Sequence, residues 1–172
     1  MGAVTDSFTI RPARTSDVTA IKRLVAPLAE QRILMAKETV AYYESLQEFR
    51  IAESAQGEVI GCGALHVMWE DLAEVRTLAA SDAWRGQGVG HVLVESLLEE
   101  AAALGVSRVF CLTFEVDFFK RHGFEVMADQ SALDPQVYSE LLRSHDEGVA
   151  EFLDLARVKP NTLGNTRMIR TL

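Results

Sequence analysis

The glycine-rich segment Arg85-Gly86-Gln87-Gly88-Val89-Gly90 restricts the possible folds of this chain more than any other segment. It follows an apolar strand predicted over about Leu72 to Ala80 and opens a helix predicted over about Val89 to Leu104. Successive backbone N–H groups in such a loop, with the positive end of the helix, bind anions such as phosphates. The segment therefore predicts a phosphate site, although three alternating glycines also suit a tight turn without a ligand.

Two common phosphate-binding motifs do not fit this segment. A Walker loop requires Gly-Lys followed by Ser or Thr, and a dinucleotide fingerprint requires a glycine where this chain has His91. Neither of these two nucleotide sites is therefore expected.

Length and composition exclude several classes of protein. The 172 residues, of which 48% are hydrophobic, predict one domain over residues 1–172, with residues 129–172 as a C-terminal extension of that domain. A net charge of -8 without a basic stripe argues against a nucleic-acid partner. The chain has no signal-peptide pattern and no apolar run of membrane-spanning length, so no membrane partner is expected. Cys62 and Cys111 lie in apolar stretches, which predicts free thiols and a cytoplasmic protein.

Hydrophobic periodicity and turn residues predict the order of the remaining elements. Strands are expected over Phe8 to Arg14, Phe49 to Glu53, Val59 to Met68, Arg108 to Phe114 and Phe124 to Met127, and helices over Val18 to Glu30, Thr39 to Gln47, Asp117 to His122 and Pro135 to Arg143. Pro27 should kink or divide the first helix. Because the strands first form a meander and later alternate with helices, a mixed α/β (α+β) fold is predicted, not a doubly wound one.

The pattern Arg85-x-x-Gly88-x-Gly90 between a strand and a helix resembles the pyrophosphate-binding signature of the GNAT acetyltransferase superfamily. The order of elements over about residues 8–128 is also similar to that fold. The resemblance implies a central, mostly antiparallel mixed sheet flanked by helices, and acetyl-coenzyme A (acetyl-CoA) as co-substrate, without a metal. It assigns the pyrophosphate to Arg85, Gly86, Gln87, Gly88, Val89 and Gly90, and the pantetheine arm to an extended pairing along Leu78, Ala79 and Ala80.

Further tracts, taken in their order, resemble the acetyltransferase domain of N-acetylglutamate synthases. These tracts are Pro27 to Leu34 with Lys37, Gly61 to Leu65, Leu112-Thr113, Phe118-Phe119, His122 to Phe124 and Thr166 to Ile169. The resemblance covers nearly the whole chain. It implies an amino-acid N-acetyltransferase that transfers acetyl from acetyl-CoA to the α-amino group of L-glutamate, the first step of arginine biosynthesis.

Glu74 is the candidate general base. An amine must lose a proton before it attacks a thioester, and the developing oxyanion needs donors. Glu74 lies in the strand before the glycine loop, at the position of the base in GNAT enzymes that have one. The alternative is that Glu74 only pairs with Arg76, two residues along on the same face. The resemblance assigns the oxyanion to a backbone N–H near Leu78.

Phe119 departs from the family pattern. Many GNAT enzymes have at this position a tyrosine whose hydroxyl protonates the leaving sulfur, whereas Phe119 can only wall the thioester. Tyr42, Tyr43 or a water remain as substitutes. Since a thiol has a pKa of about 8.5, the thiolate is a tolerable leaving group and a dedicated acid is dispensable.

An anionic amino acid needs local cations in a chain of net charge -8. Lys37, Arg76 and Arg167 are the candidates, and Lys37 and Arg167 fall in tracts that match the synthase substrate motifs. Arg167 suits bidentate binding of a carboxylate and Lys37 acts as a point charge. The alternative for each is an exposed surface cation.

Several alternatives stay open at this stage. Many synthases have an arginine after Leu112-Thr113, whereas this chain has Phe114-Glu115, which favours glutamine or another primary amine as acceptor. A non-catalytic acyl-CoA sensor is the other alternative, since Phe119 has no hydroxyl. The four histidines show no metal-ligand spacing, so no metal site is expected. The C-terminal segment suits either a homodimer interface or a lid over the substrate.

Overall fold

The computed structural model describes residues 7–127, 134–153 and 164–172. Residues 129–133 and 154–163 of the predicted C-terminal extension lie outside the described residues. The strands are β1 (Phe8–Pro12), β2 (Phe49–Ser54), β3 (Val59–Trp69), β4 (Leu72–Ala80), β5 (Arg108–Thr113), β6 (Glu125–Val126) and β7 (Thr166–Thr171). The helices are α1 (Val18–Glu30), α2 (Thr39–Glu44), α3 (Val89–Ala103), α4 (Val116–Lys120), α5 (Pro135–Leu141) and α6 (Glu147–Phe152), and short 3-10 turns cover Thr15–Asp17, Leu46–Glu48 and Asp82–Trp84.

The strands form one seven-stranded sheet in the order β1-β2-β3-β4-β5-β7-β6. β4 and β5 are parallel, whereas the other neighbouring strands are antiparallel. A parallel pair needs a crossover, and α3 provides it between β4 and β5. The predicted fold class, a mostly antiparallel mixed sheet flanked by helices, is confirmed.

Alternation along β4 assigns its side chains to opposite faces of the sheet. Ala73 and Val75 pack in the core beneath α3, together with Leu97. Glu74 and Arg76 therefore point to the other face, where the segment between α1 and α2 and the start of α6 surround them. Helix α1 covers that same face further along, against β2 and β3. No helix among the described residues has the length and apolar character needed to cross a membrane.

Several element ends differ from the predicted ones by one to three residues, and the larger differences concern α1, α2 and the C-terminal elements. α1 runs without a break through Pro27, because proline removes only one helical donor and Gln31 N still donates to the Pro27 carbonyl at 3.2 Å. The predicted helix over Thr39 to Gln47 ends at Glu44 and is followed by a 3-10 turn. α6 and β7 were not predicted as a helix and a strand, and β7 forms its ladder with strands that precede it by a long stretch of chain.

Gly61→Ala is expected to destabilise the fold, because the added methyl group would lie 2.7 Å from Val89 Cγ1 and 3.0 Å from Leu93 Cδ1. Overpacking of this kind costs about 1–3 kcal/mol of unfolding free energy. The matched control is Gly63→Ala on the same strand, whose added methyl would meet only the flexible ends of two leucines. Chemical denaturation measures both, and an equal or larger loss for Gly63→Ala would contradict this account of the packing.

Candidate active site

β4 and β5 separate in the middle of the sheet. Their ladder consists of Leu72 with Arg108, Ala73 with Val109 and Glu74 with Phe110, although β4 continues to Ala80 and β5 to Thr113. A cavity of about 230 Å³ lies between the separated ends. Its walls include Leu78, Ala79, Ala80, Gly90, Thr113, Phe118 and Phe119. Beyond Glu74 the side of β4 that faces β5 has no ladder partner among the described residues. A free strand edge of this kind pairs with extended ligands.

A β-bulge at Thr77 marks the point where the two strands diverge. β3 pairs Ala64 with Arg76 and then Cys62 with Ala79, so β4 contains one extra residue here. Thr77 has a φ of 55°, a left-handed conformation that is rare for a β-branched residue. Bulges bend a strand and re-aim its side chains, often beside active sites.

The glycine loop follows β4 and leads into α3. Gly86 and Gly88 both have a φ of 80°, which glycine adopts without strain. Val92 N donates to the Gly88 carbonyl at 3.0 Å, so the amides before it, at the first turn of α3, have no partner inside the helix. Arg85 is exposed and pairs with Asp82 at 3.0 Å. The loop therefore has the open amides and the glycine conformations that a pyrophosphate requires.

Phe119 is buried in the core beneath the cavity between β4 and β5. Its ring packs edge-to-face against Phe118 and Phe124, with centroids 5.1 and 5.2 Å apart. Of the two tyrosines named as substitutes for an acid, Tyr42 is buried against Phe49 and Tyr43 is half-exposed on α2. Neither tyrosine lines the cavity between β4 and β5. Within the described residues, this cavity therefore has no tyrosine hydroxyl on its wall.

Glu74 lies on the opposite side of β4 from α3 and is only 4% exposed. Its Oε1 accepts a hydrogen bond from Arg76 Nε at 3.0 Å, so the pairing considered as an alternative is present. Its Oε2 is buried without a hydrogen-bond partner among the described residues. Burial raises the pKa of Glu74, and the neighbouring charge of Arg76 only partly opposes this. Glu74 is thus a carboxylate with strengthened basicity and one oxygen that has no hydrogen-bond partner among the described residues.

Arg76 binds a second carboxylate, that of Asp146. Nη1 and Nη2 each donate to one Asp146 oxygen at 2.8 Å, which is the bidentate geometry of strong ion pairs. Burial acts to raise the pKa of Asp146, but the hydrogen bonds and the charge of Arg76, together with His66 and the Val149 N–H, outweigh it and lower the pKa. Gly148 in α6 lies directly against the guanidinium, and a side chain at this position would overlap it. The donors of Arg76 therefore hold two carboxylates of the protein itself.

Lys37 lies in the segment between α1 and α2 and borders two cavities. It lines a small cavity of about 50 Å³ with Glu74 and Thr77, and a larger cavity of about 740 Å³ with Arg76 and Asp146. We call the larger space the acceptor cavity. Burial is the main cause that lowers the pKa of Lys37, and the charge of Arg76 adds to it. The predicted substrate cation Lys37 thus reaches the space next to the predicted base.

Glu48, His66 and Asp146 are among the polar residues of the acceptor cavity that sequence reasoning missed. His66 is the β3 partner of Glu74 in the ladder, and its Nδ1 contacts Glu48 Oε1. Its Nε2 lies 3.9 Å from Asp146 Oδ2. Glu48 and Asp146 are distant from β4 in sequence and belong to no motif, so no sequence signal pointed to them. The alternation of side chains between the two faces of β3 could have placed His66 on the same face as Glu74. Among the described residues, no group of three or more His, Cys, Asp or Glu side chains is arranged to hold a metal ion.

Arg167 and Glu115 occupy different places from those of the residues around Glu74. Arg167 on β7 is the ladder partner of Leu112, and Leu112 lines the small cavity. The guanidinium carbon of Arg167 lies 5.9 Å from the centre of the Phe152 ring. It therefore flanks the site one strand away.

Glu115 is exposed, its N–H donates to Thr113 Oγ1 at 2.8 Å, and it lines the cavity between β4 and β5. Its charge thus borders the cofactor side of the site.

Comparisons with known proteins identify the family of the chain. Residues 21–124 match the model of the acetyltransferase (GNAT) family. The chain is 52% identical over 165 residues to an amino-acid acetyltransferase of Mycobacterium tuberculosis, covering 95% of this chain and 94% of that protein. It is 34% identical over 148 residues to an amino-acid acetyltransferase of Shewanella oneidensis, covering 85% of this chain but only 33% of the longer relative.

Two solved structures have the same fold. A crystal structure of a Mycobacterium tuberculosis protein in complex with CoA aligns with a TM-score of 0.91 at 52% identity, over 95% of this chain and 99% of that one. N-acetylglutamate synthase from Neisseria gonorrhoeae, complexed with coenzyme A and N-acetyl-glutamate, aligns with a TM-score of 0.76 at 24% identity, over 96% of this chain and 35% of that one. The second likeness concerns the fold alone. The chain belongs to the GNAT family of acetyltransferases and is an N-acetyltransferase.

Proposed function

We propose that this N-acetyltransferase transfers acetyl from acetyl-CoA to the α-amino group of L-glutamate, the first step of arginine biosynthesis. The observation that carries the proposal is the buried carboxylate of Glu74, which has one oxygen without a hydrogen-bond partner among the described residues and lines a cavity that Lys37 also lines. The 52% identity to an amino-acid acetyltransferase supports an amino acid as acceptor. A base with a free oxygen is a feature that turnover requires and a silent acyl-CoA sensor does not.

Acetyl-CoA fits the groove formed by the glycine loop and the separated strands. The open amides at the start of α3 suit its pyrophosphate, and the unpaired edge along Leu78, Ala79 and Ala80 suits the amides of its pantetheine arm. The thioester then lies next to the bulge at Thr77. A backbone N–H near Leu78 donates to the thioester oxygen as negative charge develops there.

Glu74 Oε2 removes one proton from the substrate ammonium group, and the raised pKa of Glu74 favours this step. The free amine attacks the thioester carbon, the C–N bond forms and the C–S bond breaks. The sulfur leaves as a thiolate and takes the second proton lost by the nitrogen. A thiol has a pKa of about 8.5, so the thiolate is a stable enough leaving group. The reaction therefore needs no acidic side chain at the position of Phe119.

Positively charged side chains around the small cavity and the acceptor cavity hold the amino-acid acceptor. Lys37 binds the α-carboxylate, because it is the described cation that reaches both the small cavity and the acceptor cavity without a carboxylate in direct contact in the structure. Arg167, next to Leu112 on the same face, serves the side-chain carboxylate of glutamate. Arg76 borders the acceptor cavity, and its charge attracts the substrate while its donors hold Glu74 and Asp146.

Glutamine is the second candidate acceptor. The acceptor cavity contains the carboxylates of Glu48 and Asp146, and Arg76 is already bound to Asp146. This acidic surrounding disfavours a second carboxylate on the substrate, whereas an amide can both donate to these oxygens and accept from a cation.

Thiol release from acetyl-CoA measures the choice of acceptor directly. With glutamate, glutamine, aspartate, lysine and no acceptor compared at several concentrations, glutamate is expected to give the highest kcat/KM, and mass spectrometry is expected to show acetylation of its α-amino group. A higher kcat/KM for glutamine would establish the second candidate instead. No turnover with any amino acid, while acetyl-CoA still binds, would overturn the proposed function.

Glu74→Gln is expected to lower kcat about 10²- to 10⁴-fold, the usual contribution of a general base. Affinity for acetyl-CoA should stay nearly constant, because the proposed cofactor contacts lie on the other side of β4. Since burial raises the pKa of Glu74, kcat/KM of the parent enzyme should fall as the pH drops through that raised value, and the variant should lack this decline. Glu125→Gln, at an exposed carboxylate on β6, is the control with unchanged kinetics. An unchanged rate for Glu74→Gln would remove Glu74 from the mechanism.

Arg167→Ala is expected to raise the KM for glutamate about 10- to 100-fold, the equivalent of one lost charge-assisted hydrogen bond. The KM for glutamine should rise much less, since no side-chain carboxylate is then bound. Arg121→Ala removes an exposed arginine after α4 and serves as the control. A glutamate KM within about twofold of the parent value would leave Arg167 as a residue that only packs on Phe152.

A further inference from the structure

Each turnover leaves a proton that the buried base must lose. An ammonium group that becomes an amide gives up two protons, of which the thiolate takes one and Glu74 keeps the other. Glu74 is 4% exposed, and its unpartnered oxygen is buried. It must return to the carboxylate before the next ammonium group can react, so a route to solvent is part of the reaction.

His66 is placed on such a route. It is the direct ladder partner of Glu74 across β3 and β4, and side chains so paired lie on the same face with Cβ atoms about 4.5–5.5 Å apart. Its side chain is 22% exposed and lines the acceptor cavity, which opens to solvent. The imidazole therefore lies beside the base and also reaches water.

Two carboxylates orient the His66 ring. Its Nδ1 contacts Glu48 Oε1 on the 3-10 turn after α2, which fixes Nδ1 as the donor and leaves the lone pair on Nε2. Nε2 lies 3.9 Å from Asp146 Oδ2, a gap of the size that one water molecule bridges. The nitrogen that gains and loses a proton thus points toward the network of Asp146, Arg76 and Glu74.

The other charged groups around Glu74 are poor carriers of a proton. Arg76 stays protonated throughout the working pH range of proteins. Asp146 is bound by two hydrogen bonds from Arg76, which make its carboxylate a weak base despite its burial. Lys37, in the segment before α2, must stay charged in order to hold the substrate carboxylate. Among the described groups that face Glu74 from β3, β4, the 3-10 turn and the start of α6, His66 is the one with an imidazole, which has one nitrogen that can take up a proton and another that can donate one.

We propose that His66, oriented by Glu48, relays the proton from Glu74 to solvent between turnovers. The O–H bond of protonated Glu74 breaks as the Nε2–H bond of His66 forms, directly or through one water, and the imidazolium then gives the proton to water or buffer. No electrons are transferred and no other reactant is needed. The inference rests on the proposed function, in which Glu74 is the base, and it makes His66 a positioning residue that acts through Glu74.

The test is chemical rescue of His66→Gln. In dilute buffer its kcat is expected to fall at least about tenfold, toward the lower end of what a lost proton transfer costs, while kcat/KM for the amino acid changes less because proton release follows the chemistry. Added imidazole should restore kcat in proportion to its concentration. Glu48→Gln keeps an acceptor for Nδ1 without the charge, and it should show a smaller fall with the same rescue. Glu125→Gln, at an exposed carboxylate on β6 that does not line the acceptor cavity, should show neither the fall in kcat nor an effect of imidazole.

The outcomes separate this inference from the proposed function. If the parent enzyme acetylates an amino acid and His66→Gln matches it in dilute buffer, the relay is overturned and the function stands. If His66→Gln is slow but imidazole gives no rescue, although acetyl-CoA affinity and circular dichroism match the parent, the relay is also overturned. If the parent enzyme turns over no amino acid, the proposed function is overturned and the relay with it. A fall in kcat with concentration-dependent rescue supports the relay.

Discussion

The separation of β4 from β5 beyond Glu74 is the constraint on which the whole site depends. Because the ladder ends at Glu74 and Phe110, the carboxylate sits at the last position that the sheet holds from both sides. One residue further, the same strand has a free edge. A single strand therefore supplies a firmly held base and an unpaired backbone, and the bulge at Thr77 makes the transition between the two.

Arg76 determines the electrostatics of the acceptor side. A buried carboxylate without a counter-charge takes up a proton, whereas one in a full ion pair becomes a weak base. Arg76 gives Glu74 only its Nε and gives both terminal nitrogens to Asp146. A single hydrogen bond from Arg76 thus holds Glu74 in place while the carboxylate remains basic. Gly148 has no side chain, which leaves space for the guanidinium group of Arg76.

Local patterns in the sequence, together with the family resemblance, predicted the residues on one side of the candidate site. Glu74 and the glycine loop were recognisable because a carboxylate within an apolar strand and glycines before a helix have local causes, and β4 has its predicted bounds. Asp146 and Glu48 could not be found in this way, since their roles arise only when distant segments meet at β4. α6 contains a glycine and spans one turn and a half, which gives too short a periodic pattern for a helix prediction. Predicting β7 as the neighbour of β5 required knowledge of the pairing itself.

The position of β7 in the sheet affects how the molecule assembles during synthesis. β7 lies between β5 and β6, although both precede it in the chain. While the polypeptide emerges from the ribosome, β1 to β4 can pair in sequence, but β5 keeps one unpaired edge until β7 has been made. An unpaired apolar edge is a template for association with other chains. The half of the sheet that contains β5, β7 and β6 is therefore completed last, and until then the nascent chain has a free strand edge at β5.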